Sequence, residues 1–308
     1  MRNMAYQNLT VKMAIELAAP HTWPASVMPV LIGITLSVAL KASPSWVICL
    51  ILLAICVLMQ SSVNTFNDYF DYVKGLDSKE DNLDPTDAVL LYNNIDPKSA
   101  LKLAIGYLAG AFVLGIYIIY LAGWIPLVIA LVGALIVVLY SAGKTPISSL
   151  PIGEAVSGIV MGGLITLAVV DVITGTNMWI ALLWSVPQII GIGLIMMTNN
   201  TCDIEKDLRT GRRTLPNTIG RDKAVVLYRA FVLVWIISIF LYAFSLHPAA
   251  GACAALMLIP GYMIAFRYLL HSPVAAQTRI AQRKGILKAN LTGAAICLAV
   301  IAAVSVIR

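Results

Sequence analysis

Two stretches of the chain place carboxamide and carboxylate side chains at helical spacing. In the first stretch, residues 64–77, the intervals of four and three residues put Asn64, Asp68 and Asp71 on one face of a helix. We call this stretch the first motif. The candidates for substrate binding in this motif are Asn64, Asn67, Lys74 and Asp77.

The second stretch, residues 199–214, repeats the pattern, and we call it the second motif. Asn200, or Asn199 in its place, shares one helical face with Asp203 and Asp207. We expect the two asparagines to bind substrate, together with two basic residues that follow, Arg212 and Arg213. The same order of residue types therefore occurs twice, each time at the end of an apolar segment.

Two carboxylate clusters that converge on one point repel each other unless cations lie between them. Oxygen-only ligands suit a hard cation, and partial coordination that leaves room for phosphate oxygens suits Mg²⁺. We therefore predict a Mg²⁺-bridged diphosphate site. Its predicted metal ligands, which are also predicted to be catalytic, are Asp68, Asp71, Asp203 and Asp207. A single motif of this kind is equally well explained as a solvated helix end, and only the pair favours a site.

Basic residues near the motifs supply possible partners for the anion. Lys144 follows an apolar segment four residues after Tyr140, and we predict that Lys144 is catalytic and that Tyr140 contacts substrate. With Lys74 and the arginines of the second motif, Lys144 can bind the anionic oxygens of a leaving pyrophosphate. Anchoring at a membrane surface is the alternative explanation for Lys144 and the arginines.

The elements that position these residues are predicted to be membrane-spanning helices. The chain has 308 residues, of which 60% are hydrophobic and only 12% are charged, about half the charged fraction of a soluble domain. Apolar segments of spanning length, on the order of 20 residues, recur without the alternation of a β-barrel strand. We predict nine spans: Thr22–Leu40, Trp46–Thr65, Leu101–Ala122, Trp124–Ala142, Ile152–Ile173, Trp179–Thr198, Val225–Ser245, Ala249–Leu270 and Ile286–Ile307.

The predicted fold is an all-α membrane bundle around one central cavity, built from two pseudo-repeated four-helix units. Residues 1–308 form one integral-membrane domain, with an N-terminal segment at 1–20 and motif-bearing loops at 66–98 and 199–222. The four-helix units are inferred from the recurrence of the motif in spans that lie four helices apart.

The distribution of lysine and arginine predicts the orientation. With nine spans, nearly all of these residues lie on the side of the N-terminus, and only Lys41 and Arg308 lie on the other side. The positive-inside rule therefore places the N-terminus (with Arg2) and both motifs in the cytoplasm and the C-terminus outside, in a plasma-membrane protein. The net charge of +6 is thus a topology signal, and the short loops offer no nucleic-acid surface.

The motifs resemble those of a known family. Residues 67–77 resemble the first motif of the UbiA superfamily of intramembrane prenyltransferases, residues 199–215 resemble its second motif, and Tyr140 with Lys144 is similar to its Tyr/Lys motif. Within the family the likeness is greatest to enzymes that act on 1,4-dihydroxy-2-naphthoate. Two differences from those enzymes are Ala19, where arginine is usual, and residues 84–94, where a basic, glycine-containing stretch is usual.

The resemblance implies Mg²⁺-dependent transfer of an isoprenyl chain from a polyprenyl diphosphate to an aromatic acceptor. The acceptor implied first is 1,4-dihydroxy-2-naphthoate, in menaquinone biosynthesis, and 4-hydroxybenzoate, haem and a lipid glycerol are the alternatives. The lipid bilayer is the surroundings, and no protein partner is implied. A secondary transporter is the competing class, but transporters place ionisable residues near the bilayer midplane, where these spans have almost none.

Overall fold

The computed structural model describes residues 6–81 and 83–307. Arg2 and Arg308, which were named in the prediction of membrane orientation, lie outside the described residues. Within these ranges the chain is all-α, and its one β-type contact is an isolated bridge between Gln7 and Ile95. The predicted fold class is confirmed at this level.

The first half of the chain contains three long helices and several short ones. The helices are α1 Val11–Leu17, α2 Pro24–Ala39, α3 Trp46–Val73, α4 Val89–Tyr92, α5 Pro97–Ala122 and α6 Trp124–Ser141. Helix α3 carries the first motif in its last turns and continues past the predicted end of its span at Thr65.

The second half is more interrupted. Its helices are α7 Gly153–Ser157, α8 Ile165–Thr174, α9 Ile180–Trp184, α10 Val186–Cys202, α11 Ile204–Thr210, α12 Leu215–Ile219, α13 Arg221–Leu246, α14 Pro248–Gly261, α15 Arg267–His271 and α16 Arg279–Ile307. Two π-helical segments join α7 to α8 and α14 to α15, and they are Gly158–Leu164 and Tyr262–Phe266. The second motif begins in α10 and continues through α11.

Helix occupies each of the nine predicted spans, but only part of that count is supported by length and composition. In the described residues seven helices are long and apolar enough to cross a membrane, and an eighth is added if Val11–Thr22 and Pro24–Ala39, which meet at 57°, form one bent span. The predicted span at 179–198 is divided at Ser185 into α9 and α10. Pro187 has no N–H to donate back to Leu183, which explains the interruption.

The main core lies between the C-terminal helices. The Trp235 indole of α13 packs edge-on against Phe266, with ring centroids 5.1 Å apart and an interplanar angle of 83°. Ile32 of α2, Leu194 of α10 and Ile286 of α16 belong to the same fully buried cluster. This core holds α10, and with it the start of the second motif, against α13 and α16.

The wall formed by α7, its π-helical continuation and α10 is held by backbone contact. A Cβ atom added to Gly162 would lie 2.5 Å from the backbone nitrogen of Ile189, and one added to Gly158 would collide with the Ile189 carbonyl oxygen. Only glycine permits this approach, because any side chain would have to displace backbone atoms. These helices therefore lie closer together than side-chain packing would allow.

The substitution Gly162→Ala is expected to destabilise the protein by about 1–3 kcal/mol, because the added methyl group overpacks a backbone contact. Thermal unfolding in detergent measures this. Gly106→Ala is the matched control, since a Cβ there meets nothing within 4 Å. Equal melting temperatures for the two variants would contradict the close-packing argument.

Candidate active site

One large cavity, with a volume of about 390 Å³, runs between the helices and is polar at one end. Both motifs reach that end. We call the following residues, all of which line the cavity, its polar end: Asn64, Asn67, Asp68, Asp71, Asp77, Asn199, Asn200, Asp203, Lys206, Arg212 and Arg279. The rest of the wall is mostly apolar, with side chains such as Leu52, Ile55, Met59, Phe112, Ile129, Met161, Leu164 and Ile195.

Asp68 of the first motif is buried and is held by backbone donors. Its carboxylate accepts hydrogen bonds from the N–H groups of Val89, at 2.7 Å, and Leu90, at 3.3 Å, at the start of α4. A carboxylate has about four lone-pair sites, so these two bonds fix its orientation and leave other sites free for a ligand. The short helix α4 thus orients the Asp68 carboxylate without using all of its hydrogen-bonding sites.

The neighbouring side chains of the first motif are also fixed. Asn67 donates to Asp71 Oδ2 at 3.0 Å, and its own Oδ1 accepts from the Ser141 hydroxyl at 3.1 Å. Asn64 Nδ2 donates to the Ala18 carbonyl at 2.9 Å and to Thr22 Oγ1 at 2.8 Å. The motif face of α3 is therefore tied to the chain before α2 and to the end of α6.

In the second motif, each aspartate has a basic partner. Arg279 of α16 binds Asp203 with two hydrogen bonds, Nε to Oδ1 at 2.8 Å and Nη2 to Oδ2 at 3.2 Å. Asp207 accepts from Thr214 Oγ1 at 2.7 Å, and its Oδ1 lies 3.6 Å from Arg212 Nη1. Burial raises the pKa of Asp207, and the positive charge of Arg212 opposes that rise.

Three cations of the polar end are already engaged with the protein. Lys206 forms an ion pair with Asp77 across the two motifs, and both side chains are nearly buried. Arg212 Nη2 donates to the Ser148 carbonyl at 2.9 Å. Together with Arg279, these residues place three positive charges beside the carboxylates, where they could instead contact phosphate oxygens.

Some predicted residues do not reach the cavity lining. Lys144 is exposed in the turn after Gly143, whose φ of 89° directs the chain away from α6. Arg213 is also exposed, and its backbone N–H donates to the Ser149 carbonyl at 3.0 Å. Lys74 lies just past α3 and donates to the Ser141 carbonyl at 2.8 Å. Tyr140 does line the cavity, and its buried hydroxyl has no partner among the described residues.

Sequence reasoning missed a charged group at the edge of the same cavity. Arg283 of α16 pairs with Asp87 and, at 2.8 Å, with Asp84, while His21 Nε2 lies 2.9 Å from Asp87. Burial alone would raise the pKa of Asp84, but hydrogen bonds from Thr86 and the charge of Arg283 hold it below its usual value. The stretch at 84–94 that differs from the family pattern thus contributes to the cavity.

A signal for the missing cations was present in the sequence. Arg279 and Arg283 are four residues apart and therefore share one face at the start of the last span. The positive-inside rule explained both as anchors at the membrane surface. The acidic partner of Arg279 is 76 residues away along the chain, and that of Arg283 is 199 residues away. Lys206 stands inside the second motif, three residues after Asp203, and its position on the motif helix was a usable signal.

The donors of the polar end fit Mg²⁺ in kind. They are carboxylate and carboxamide oxygens. The predicted ligand Asp207 does not line the cavity and is fully buried behind it, with its Oδ1 lacking a hydrogen-bond partner among the described residues. In residues 6–81 and 83–307 no three carboxylates, histidines or cysteines come close enough together to hold a metal ion by themselves. Mg²⁺ is usually held by one or two carboxylates plus substrate phosphates, so the donors fit a site that a diphosphate completes.

Comparison with known proteins gives consistent likenesses. The profile of the UbiA prenyltransferase family matches residues 26–303. The chain is 34% identical to a 1,4-dihydroxy-2-naphthoate octaprenyltransferase of Bacillus subtilis over 73% of this chain and 72% of that protein. It is 26% identical to UbiA prenyltransferase domain-containing protein 1 of Danio rerio over 70% of this chain and 63% of that protein.

A solved structure shares the fold. A UbiA homologue from Archaeoglobus fulgidus, bound to GPP and Mg²⁺, superposes with a TM-score of 0.64, at 17% identity, over 96% of this chain and 99% of that chain. At this identity the likeness is one of fold.

The substitution Arg279→Met is expected to destabilise the protein by about 3–5 kcal/mol, because it leaves the Asp203 carboxylate buried without its partner. Thermal unfolding in detergent is the measurement. Glu205→Gln is the control, because it breaks an exposed pair with Arg221 that contributes about 1 kcal/mol or less. Similar shifts in melting temperature for both variants would contradict a structural role for the Arg279–Asp203 pair.

Proposed function

The chain belongs to the UbiA prenyltransferase family, and we propose that it transfers an isoprenyl chain from a polyprenyl diphosphate to 1,4-dihydroxy-2-naphthoate, in menaquinone biosynthesis. The observation that carries this proposal is a large cavity whose polar end is lined by both motifs and whose remaining wall is mostly apolar. Such a cavity has a place for a diphosphate and a separate place for a hydrocarbon chain.

The polar end binds and orients the diphosphate. We assign the Mg²⁺ ligands to Asp68, Asp71, Asp203 and Asp207, and bound Mg²⁺ supplies Lewis-acid stabilisation of the charge that develops on the leaving pyrophosphate. Three cations exchange their carboxylate or carbonyl partners for phosphate oxygens: Lys206, Arg212 and Arg279. The contributions predicted for Lys74, Asp77, Tyr140, Lys144 and Arg213 stay predictions.

The apolar wall holds the prenyl chain and excludes water. When the allylic C–O bond breaks, the carbocation must meet the electron-rich ring of the acceptor before it meets water. Side chains such as Phe112, Met161 and Leu164 offer the prenyl chain an apolar surface. In the reaction with the naphthoate, the ring carbon forms the new C–C bond and the carboxylate leaves as CO₂.

The membrane arrangement is part of the proposal. All nine helical segments of the single domain cross the bilayer, with the bent first span and the span divided at Ser185 included, and form two pseudo-equivalent four-helix units. The N-terminus and both motifs face the cytoplasm of a plasma-membrane protein, and the C-terminus faces outside. The lysine and arginine distribution supports this orientation.

The acceptor rests on the relative that is 34% identical, a 1,4-dihydroxy-2-naphthoate octaprenyltransferase. The cavity wall includes Thr86 and Asp87, from the stretch at 84–94 that differs from the usual family pattern. For this reason 4-hydroxybenzoate, haem and a lipid glycerol belong in the test of the acceptor.

Asp71→Asn and Asp203→Asn are each expected to lower prenyl transfer by about 100-fold or more, since the metal contributes several kcal/mol to the transition state. Transfer of a labelled prenyl chain is measured in membranes, with folding checked in detergent. EDTA should abolish transfer and added Mg²⁺ should restore it. Asp222→Asn, an exposed acid outside the cavity, is the control. Full activity of either variant, or in EDTA, would disprove the metal assignment.

With 1,4-dihydroxy-2-naphthoate labelled at its carboxyl carbon, we expect one labelled CO₂ for each prenyl chain transferred. The measurement compares released CO₂ with prenylated product in the same membranes. Parallel reactions contain 4-hydroxybenzoate, haem or a lipid glycerol. Faster transfer to any of these than to the naphthoate would overturn the acceptor assignment and leave prenyl transfer itself in place.

A further inference from the structure

Glu154 is a buried acid in the first turn of a predicted span, next to the polar end of the cavity but not part of its lining. Only 7% of its surface is exposed, although it carries a carboxyl group. A buried carboxyl group that makes no contact with the cavity needs another reason for its place, because burying it is costly unless it is hydrogen-bonded.

Glu154 makes one side-chain hydrogen bond in the described part of the chain, and it is to the second motif. Asn200 Nδ2 donates to Glu154 Oε1 at 2.8 Å, and both residues are buried. The other oxygen, Oε2, is buried with no partner there. The Asn200 contact is therefore the feature that explains why the carboxyl group reaches toward α10.

This bond fixes which end of the Asn200 carboxamide faces the cavity. An asparagine side chain has a donor end and an acceptor end, and the environment selects between the two orientations. Because Nδ2 points to Glu154, Oδ1 is the end left for the cavity that Asn200 lines. A carboxamide oxygen can bind a cation but cannot donate to a phosphate, so the orientation decides what Asn200 can do.

We infer that Glu154 is a positioning residue, which holds the Asn200 carboxamide with its oxygen toward a divalent cation in the polar end. The inference rests on the proposed function and extends it to a residue outside the cavity lining. Partners of metal ligands that act at one remove typically change metal affinity or activity 10–100-fold when they are removed.

The two helices that carry this bond cannot shift relative to each other. A Cβ on Gly162 would meet the backbone of Ile189, and a Cβ on Gly193 would lie 3.1 Å from the Glu154 carbonyl oxygen. The backbone spacing between α7 and α10 is therefore fixed, and the length of the side chain at 154 decides whether Asn200 is reached. The inference requires a side chain at 154 that is long enough to accept from Asn200, and it does not require that side chain to be charged.

Two substitutions separate reach from charge. Glu154→Gln removes the charge but keeps an oxygen at the same distance to accept from Asn200 Nδ2. Glu154→Asp keeps the charge but withdraws it by one methylene group. Glu154→Ala removes both, and Asp171→Asn, a buried acid of α8 outside the cavity, is the matched control.

The experiment is a Mg²⁺ titration of purified protein in detergent with inorganic pyrophosphate present, read out as the increase in melting temperature. The same titration is repeated on initial rates of prenyl transfer, with the KM of the acceptor measured alongside. We expect Glu154→Ala and Glu154→Asp to raise the Mg²⁺ midpoint about 10–100-fold. Glu154→Gln and Asp171→Asn should stay within about threefold of wild type, and the acceptor KM should not change.

The outcomes distinguish the inference from the proposed function. No prenyl transfer by the wild-type protein to any acceptor overturns the proposed function. Transfer by the wild type with an unchanged Mg²⁺ midpoint in Glu154→Asp, or a Glu154→Gln midpoint raised as far as that of Glu154→Asp, overturns the inference alone. If Glu154→Ala does not fold, the comparison of the Asp and Gln variants decides.

Discussion

The arrangement of the bundle depends on how it compensates carboxylates gathered at one end of an apolar cavity. Asp77 pairs with Lys206, Asp203 with Arg279, and Asp68 with the backbone donors at the start of α4. Coulomb energies grow steeply as the local dielectric falls, so each of these groups would be costly without its partner. Helices α4, α11 and α16 supply the partners that meet this requirement.

The same compensation prepares the site for an exchange of partners. A diphosphate with a divalent cation brings negative charge for the lysine and arginines and positive charge for the carboxylates. Under the proposed function, binding would replace protein ion pairs with protein–ligand ion pairs and would change the net charge buried in the polar end little. The basic side chains need not travel far, because Arg212 and Arg279 already line the cavity.

The sequence predicts the parts of this site that depend on local spacing. Asn64, Asp68 and Asp203 could be placed because helical periodicity and the polar ends of apolar segments are properties of neighbouring residues. Arg279 and Arg283 could not, because their partners are distant in the chain and their charge had a second explanation in membrane orientation. Lys144 follows a turn at Gly143 and does not line the cavity, and its predicted role stays a prediction.

The contact of Gly158 and Gly162 with Ile189 has a consequence for movement. That wall of the cavity is rigid. Its helices touch through backbone atoms, so no side chain lies between them that could adjust to a displacement. On the opposite wall, a Cβ at Gly115 of α5 meets nothing within 4 Å, and one at Gly133 of α6 meets only the flexible end of Met59. Gly115 and Gly133 both line the cavity, so the open space beside them is cavity space, and the two glycines widen the cavity along α5 and α6.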